Sequence, residues 1–343
     1  MDKKIISAIK YIAFFAIGIG MLWLTFRNQD FGSILEKIKH VHAGWLGISV
    51  CVAVLAHLSR TYRWNMMIEP LGYKPKFINT FWALCGGYFA NLAIPRIGEI
   101  TRCGLLSKAE DVPFNELLGT VIVERVMDVL MLLLCLLLVA VTQFDLIGGF
   151  LTENIFDPMG AKFKNYTAPT LWLISIAALT VFFIGWKVLS RTEKFKGIID
   201  KVTLLLKGIL DGVRSVSKVK NIPLFIFHTF FIWLMYFFAS YFCFFALDAT
   251  SGLDAKAGLF ILVIGGIGMS APVQGGIGAY HWIVSRGLMI YGIAETEGIV
   301  YATVVHGYQT VLVIVLGAIG FFVLMATGKK SKKQNGLQAN HSK

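Results

Sequence analysis

The chain has 343 residues, of which 56% are hydrophobic and 15% charged, with a mean hydropathy of +0.69. This balance excludes a water-soluble protein, and no stretch is both long and polar enough to form a separate soluble domain. The formal net charge of +12 belongs in cytoplasmic loops of a membrane protein, so it orients the chain rather than binding nucleic acid. Five cysteines, Cys51, Cys85, Cys103, Cys135 and Cys243, lie in or beside apolar runs without metal-ligand spacing and read as unpaired small hydrophobes.

Ile5 to Phe26 reads as the first span. It follows Lys3, Lys4 and Lys10 as a signal peptide would, but no small-residue cleavage site comes after Phe26. Phe31, Ile34, Leu35 and Ile38 recur at helical spacing among charges, as in a short interfacial helix. Gly44 to Met67 is the second span, with His57, Arg60 and Arg63 toward its far end. Phe77 to Ala90 is apolar but only about fourteen residues long, too few for ~30 Å of hydrocarbon, which needs about twenty. Asn91 to Arg102 then brings Pro95, Gly98 and the charges Arg96, Glu99 and Arg102, and the chain soon turns apolar again. Broken backbone at membrane depth survives only where protein or a watery cavity covers it. This segment therefore reads as a re-entrant hairpin.

Leu117 to Val141 is a span carrying Glu124, Arg125 and Asp128; a polar loop over 142–167 and a span from Ala168 to Leu189 follow. Within 190–220, Phe195, Ile198, Val202, Leu205, Ile209, Val213 and Val216 form an apolar stripe among lysines. It reads as an amphipathic surface helix or a packed cytosolic one. Ile222 to Leu247 is a span. Ala257 to Ala271 and Ala279 to Ile293 are short and flank Pro272, Gln274, Gly275, Gly276 and Gly278, a second hairpin. Gly298 to Met325 is the last full span, and 328–343 is a basic tail expected to be disordered.

Nine basic residues in 187–220, against two in 142–167, place that connection and both termini in the cytoplasm, provided each hairpin enters and leaves on one side. The fold expected is an all-α polytopic membrane protein of six full transmembrane helices plus two re-entrant hairpins. Residues 44–141 and 222–327 share the order span, hairpin, span and enter from opposite sides, an inverted repeat within one transmembrane domain. Gly/Pro-interrupted segments at matching places in two halves point to a transport site near the midplane.

Glu124 and Asp128, four apart, share a helix face, and intramembrane charges face inward and find partners. Ion pairing is therefore expected among Arg60, Arg63, Arg125, Glu124 and Asp128, either for function or simply to fix packing. Arg96, Glu99 and Arg102 recur every three residues. If the segment after Pro95 is helical they share a face, and its N-terminus with Arg96 suits a phosphate; the alternative is arginines reaching the headgroups. At the second hairpin, Gln274, Gly275, Gly276 and Gly278 permit close backbone approach, and His281 and His306 are proton-relay or packing residues. No nucleophile elbow, P-loop or HExxH occurs, so no catalytic residue, metal or cofactor is expected, although Glu124 or Asp128 acting as a transferase base stays open in principle.

Four motifs, Arg60-Thr-Tyr-Arg63-Trp64, Pro95-Arg96-Ile-Gly98-Glu99-Ile-Thr-Arg102, Glu124-Arg125-Val-Met-Asp128 and Pro272-Val-Gln-Gly275-Gly276-Ile-Gly278, resemble those of the lysylphosphatidylglycerol synthase transmembrane region family, also called the flippase-like domain family. The resemblance covers nearly the whole chain and implies transfer of a phospholipid or lipid-linked intermediate between leaflets. The family commonly has an acidic residue at the position of His281 and an arginine near His306; here both are histidine. A soluble aminoacyl-transferring domain follows the membrane part in bacterial synthases. Here a lysine-rich tail follows, so no synthase activity is expected on this polypeptide. The leading expectation is a lipid flippase or scramblase in which Arg96, Arg102 and Arg60 receive an anionic headgroup and Glu124 and Asp128 balance those arginines. The expected partners are inner-membrane lipids, an anionic phospholipid or a polyprenyl phosphate, and a homo-oligomer is left open. The competing functions are a secondary transporter of a soluble anion and a non-transporting accessory subunit of a lipid-modifying enzyme.

Overall fold

The structure, a computed structural model, describes residue 16 and residues 18–27, 29–144 and 217–341, with side chains as far as residue 324. The chain divides into two compact units, Met1–Val139 with Val216–Lys343, and Ala140–Ser215. The expected span over 168–189, nearly all of the 142–167 loop and most of the 190–220 linker lie outside the described residues. So does most of the first span, of which residues 18–26 are helical. Among the described residues all regular structure is helical, and the chain is a multi-pass membrane protein.

Helix α1 is Phe31–Lys39; the Asp30 carboxylate caps it by accepting from the Gly32 N–H at 2.9 Å, and Lys37 and Lys39 complement its dipole at the other end. Helix α2 is Ala43–Ile68, extended by a turn of 3-10 helix to Leu71 and ended by Gly72 at φ +93°. Helix α3, Phe77–Ala93, runs three residues beyond the apolar stretch read from sequence but at 17 residues still falls short of a span. It ends because Ile94 precedes a proline and is forced into extended backbone, φ −135° and ψ 124°. Helix α4, Gly98–Glu110, turns back along α3. The two backbones cross at Gly87 and Gly98, where a side chain on either would strike the other's carbonyl. Helix α5 is Phe114–Thr142.

The second series repeats this order. Helix α6, Ile222–Tyr241, starts with Asn221 accepting from Leu224 N–H at 3.1 Å and Pro223 in its first turn, and continues as 3-10 helix to Ala246. Helix α7, Ala255–Met269, is capped by Asp254, which accepts from Ala257 N–H at 2.9 Å. After a break over 270–278, helix α8, Ala279–Met289, packs back along it. Helix α9 is Glu295–His341. Its backbone stays helical through the lysine-rich stretch expected to be disordered, where Ala, Leu, Gln and Lys are good helix formers.

Among the described residues four helices are long and apolar enough to cross a membrane: Ala43–Leu71, Phe114–Thr142, Ile222–Ala246 and Glu295–Leu324. They match four of the six spans expected. Contacts sort the connections into two ends. At one, Lys37 pairs with Glu297, Thr296 bonds Gln29 at 2.7 Å, and His42 N–H donates to Ala246 O at 3.0 Å. At the other, Met67, Ile68, Val112, Leu117, Val219 and Phe225 share an apolar cluster, and Asn79 donates to Glu110 at 2.5 Å. The open end of the α3–α4 pair lies with the second group and that of the α7–α8 pair with the first.

Candidate functional site

Glu124 lies ten residues into α5, about 15 Å along its axis. It is wholly buried and accepts from Arg60 Nε at 2.9 Å and from Arg60 Nη2, from Arg102 Nη1 and Nη2 at 3.1 Å each, and from Arg125 Nη2 at 3.2 Å. One turn on, Asp128 accepts from Arg60 Nη2 at 2.6 Å and Arg63 Nη2 at 2.9 Å, with Arg125 Nη1 3.6 Å away. The ion pairing expected among Arg60, Arg63, Arg125, Glu124 and Asp128 is therefore present, and Arg102 joins it from α4. The spacing explains the convergence: positions 60 and 63 share one face of α2, and 124 and 128 share one face of α5.

Each buried ion costs several kcal/mol of lost hydration, which only good geometry and many hydrogen bonds offset. The guanidinium fork supplies both. Further bonds complete the cluster. Arg60 Nη1 donates to Tyr236 Oη at 2.8 Å, and Arg63 Nη1 to Thr229 Oγ1 at 3.4 Å. The Arg102 guanidinium lies 4.6 Å from the Trp64 ring centre, and Trp64 Nε1 donates to Thr120 Oγ1 at 2.8 Å. Sequence reading missed Tyr236, Thr229 and Thr120, because nothing in an apolar helix marks which hydroxyl will face a charge on another.

Exposure divides the arginines. Arg60, Arg63 and Arg102 are 5%, 0% and 2% exposed, whereas the Arg125 side chain is 44% exposed. Four guanidiniums (60, 63, 102, 125) stand against three carboxylates (99, 124, 128), leaving one positive charge in excess. Glu99 is the weakly held member: Arg125 Nε is 3.8 Å from its Oε1, beyond hydrogen-bonding reach, and its buried Oε2 has no partner.

Arg96, Glu99 and Arg102 do not form one helical face, which corrects the expectation. Pro95 delays the helix to Gly98, so Arg96 lies in the turn before it, at φ +62°. Its Nη2 crosses to the second break and donates to Ser270 O at 3.0 Å. The start of α4 is also partly filled, since Gly98 N–H donates to Asn91 Oδ1 at 2.6 Å. Asn91, a lone amide ending an apolar helix, was the signal for that cap.

The second break is neutral. Gly275, Gly276 and Gly278 take φ of +57°, +78° and +82°, conformations that favour glycine. A Cβ on Gly275 would lie 3.0 Å from Leu92 of α3, and one on Gly278 would lie 2.5 Å from Gly18 O. Gln274 O accepts from Ile277 N–H at 3.0 Å, closing the turn. His306 Nε2 is 2.8 Å from Gly275 O, and the His281 ring lies 4.9 Å from that of His306, with His281 Nδ1 buried and unpartnered. The two histidines thus meet each other and the break, apart from the arginines' ion pairs. Among the described residues no group of His, Cys, Asp and Glu could hold a metal ion.

The chain is 26% identical over 201 residues to the UPF0104 membrane protein MJ1595 of Methanocaldococcus jannaschii, covering 55% of this chain and 56% of that protein. No solved structure matches it. The family described as "Lysylphosphatidylglycerol synthase TM region" matches residues 11–317, and the chain belongs to that family.

Proposed function

We propose that the protein moves a phosphate-bearing lipid, an anionic phospholipid or a lipid-linked intermediate, between the leaflets of the cytoplasmic membrane. The observation carrying this reading is the buried ion cluster. It holds one positive charge in excess and reaches the surface through Arg125. Charges this deep are expensive and normally serve a pathway.

The arginines take different parts. Arg60 and Arg102, expected from sequence to receive the headgroup, are instead held with Arg63 by Glu124 and Asp128 and give the site its form. Arg125 and Arg96, both accessible, receive the headgroup phosphate. Arg96 now donates to a neutral carbonyl, and a phosphate oxygen is the stronger acceptor. Binding therefore draws Arg96 from Ser270 and parts the two breaks. In this reading α3–α4 and α7–α8 are re-entrant hairpins that enter from opposite membrane faces, the halves 44–141 and 222–327 form an inverted repeat, and six helices span. The opposed open ends of the two pairs and their contact at Arg96 and Leu92 support it. Both termini are then cytoplasmic.

Reconstitution tests the reading. Vesicles containing the protein should equilibrate a phosphate-bearing lipid between leaflets faster than empty vesicles. Equal rates across phospholipids and polyprenyl phosphates would remove the proposal.

A further inference from the structure

Glu99 differs from every other charge in the cluster. Glu124 and Asp128 are saturated with guanidinium donors, but neither oxygen of Glu99 accepts a hydrogen bond. Its side chain is 27% exposed and lies on the first turn of α4, next to half-exposed Arg125 and three positions from exposed Arg96. A carboxylate that is partly withdrawn from water and left without a donor is costly, and a cell membrane offers many donors. If the two accessible arginines take the anion, as in the lipid-carrying reading, the adjacent carboxylate is free to take what is attached to it.

We propose that Glu99 selects the headgroup: the lipid accepted here carries an O–H or N–H donor next to its phosphodiester, and the Glu99 carboxylate accepts from it while Arg125 and Arg96 hold the phosphate. This deepens the lipid-carrying reading and rests on it. A polyol hydroxyl and an ammonium both satisfy the chemistry. A quaternary ammonium, with no N–H, does not.

The full chain in detergent is titrated with phosphatidylglycerol, phosphatidylethanolamine and phosphatidylcholine of matched acyl chains, and bound lipid is read by native mass spectrometry. The ethanolamine and choline lipids share a net charge, so that pair isolates the donor. At least one donor-bearing lipid should bind about tenfold tighter than phosphatidylcholine, and Glu99→Ala should bring the ratio to about twofold or less. Glu99→Gln keeps the shape without the charge and serves if the alanine variant does not fold. It should weaken the ethanolamine preference if ammonium is the donor and retain the glycerol preference if hydroxyl is. Equal binding of all three lipids by the unaltered protein, or a preference that Glu99→Ala leaves unchanged, overturns the proposal. Selectivity that depends on Glu99 in a protein that moves no lipid would refute transfer alone; transfer with selectivity indifferent to Glu99 would refute only this assignment.

Discussion

The two helix breaks solve one problem by opposite chemistry. At the first, Pro95 stops α3 and the freed space is filled with charge: Arg96 spans the junction and Arg102 enters the Glu124 cluster. At the second, Gly275, Gly276 and Gly278 fold the backbone on itself, its carbonyls accept within the turn, near His306 and from Arg96 of the first break, and its own residues carry no charge. A charged break can bind and respond; a neutral, close-packed break can bend and seal. In the proposed transfer, recognition falls to the first break and closure to the second.

The largest effect that would break this contrast is at Glu124. Glu124→Ala leaves buried Arg60 and Arg102 short of an acceptor and should cost about 3–5 kcal/mol, read as a fall in thermal stability in detergent together with loss of transfer. A Glu124→Ala protein as stable as the unaltered chain would show that the cluster is not buried. Next, Gly278→Ala places a Cβ 2.5 Å from Gly18 O at a positive φ. It should destabilise by about 2 kcal/mol, whereas Gly119→Ala, with open space around it, should not.

Arg125→Ala sharpens the division within the cluster. Its side chain is half-exposed, so stability should change by less than about 1 kcal/mol while lipid transfer falls about tenfold or more. Stability loss as large as for Glu124→Ala would make Arg125 structural. The smallest effect separates the two duties of Arg96. Arg96→Gly relieves the positive φ and should be about 1 kcal/mol more stable than Arg96→Ala, and both should lose the same anion-dependent transfer.

Much of this was legible beforehand because the membrane simplifies the reading. Fourteen apolar residues before Pro95 cannot span, and Glu124 and Asp128 four apart must look the same way. Those two arguments located the break and most of the cluster. What failed was local and long-range at once. Arg96 shares a face with Glu99 and Arg102 only if the helix begins directly after Pro95; it begins at Gly98, and the two-residue shift turns the Arg96 side chain toward Ser270, 174 positions away. Arg102 was grouped with Arg96 by spacing, yet packing against Trp64 draws it inward. Periodicity carries no information about either neighbour. Nothing in the sequence says that His281 and His306 touch; the approach of α8 to α9 brings their rings together.

In the proposed transfer, the accessible arginine at the buried cluster carries the lipid. The direct measurement is leaflet exchange of a phosphate-bearing lipid in vesicles holding the unaltered protein, Arg125→Ala, or no protein. Exchange well above empty vesicles that drops about tenfold in Arg125→Ala, with folding intact, is the predicted result. Exchange in the variant equal to that of the unaltered protein would contradict it.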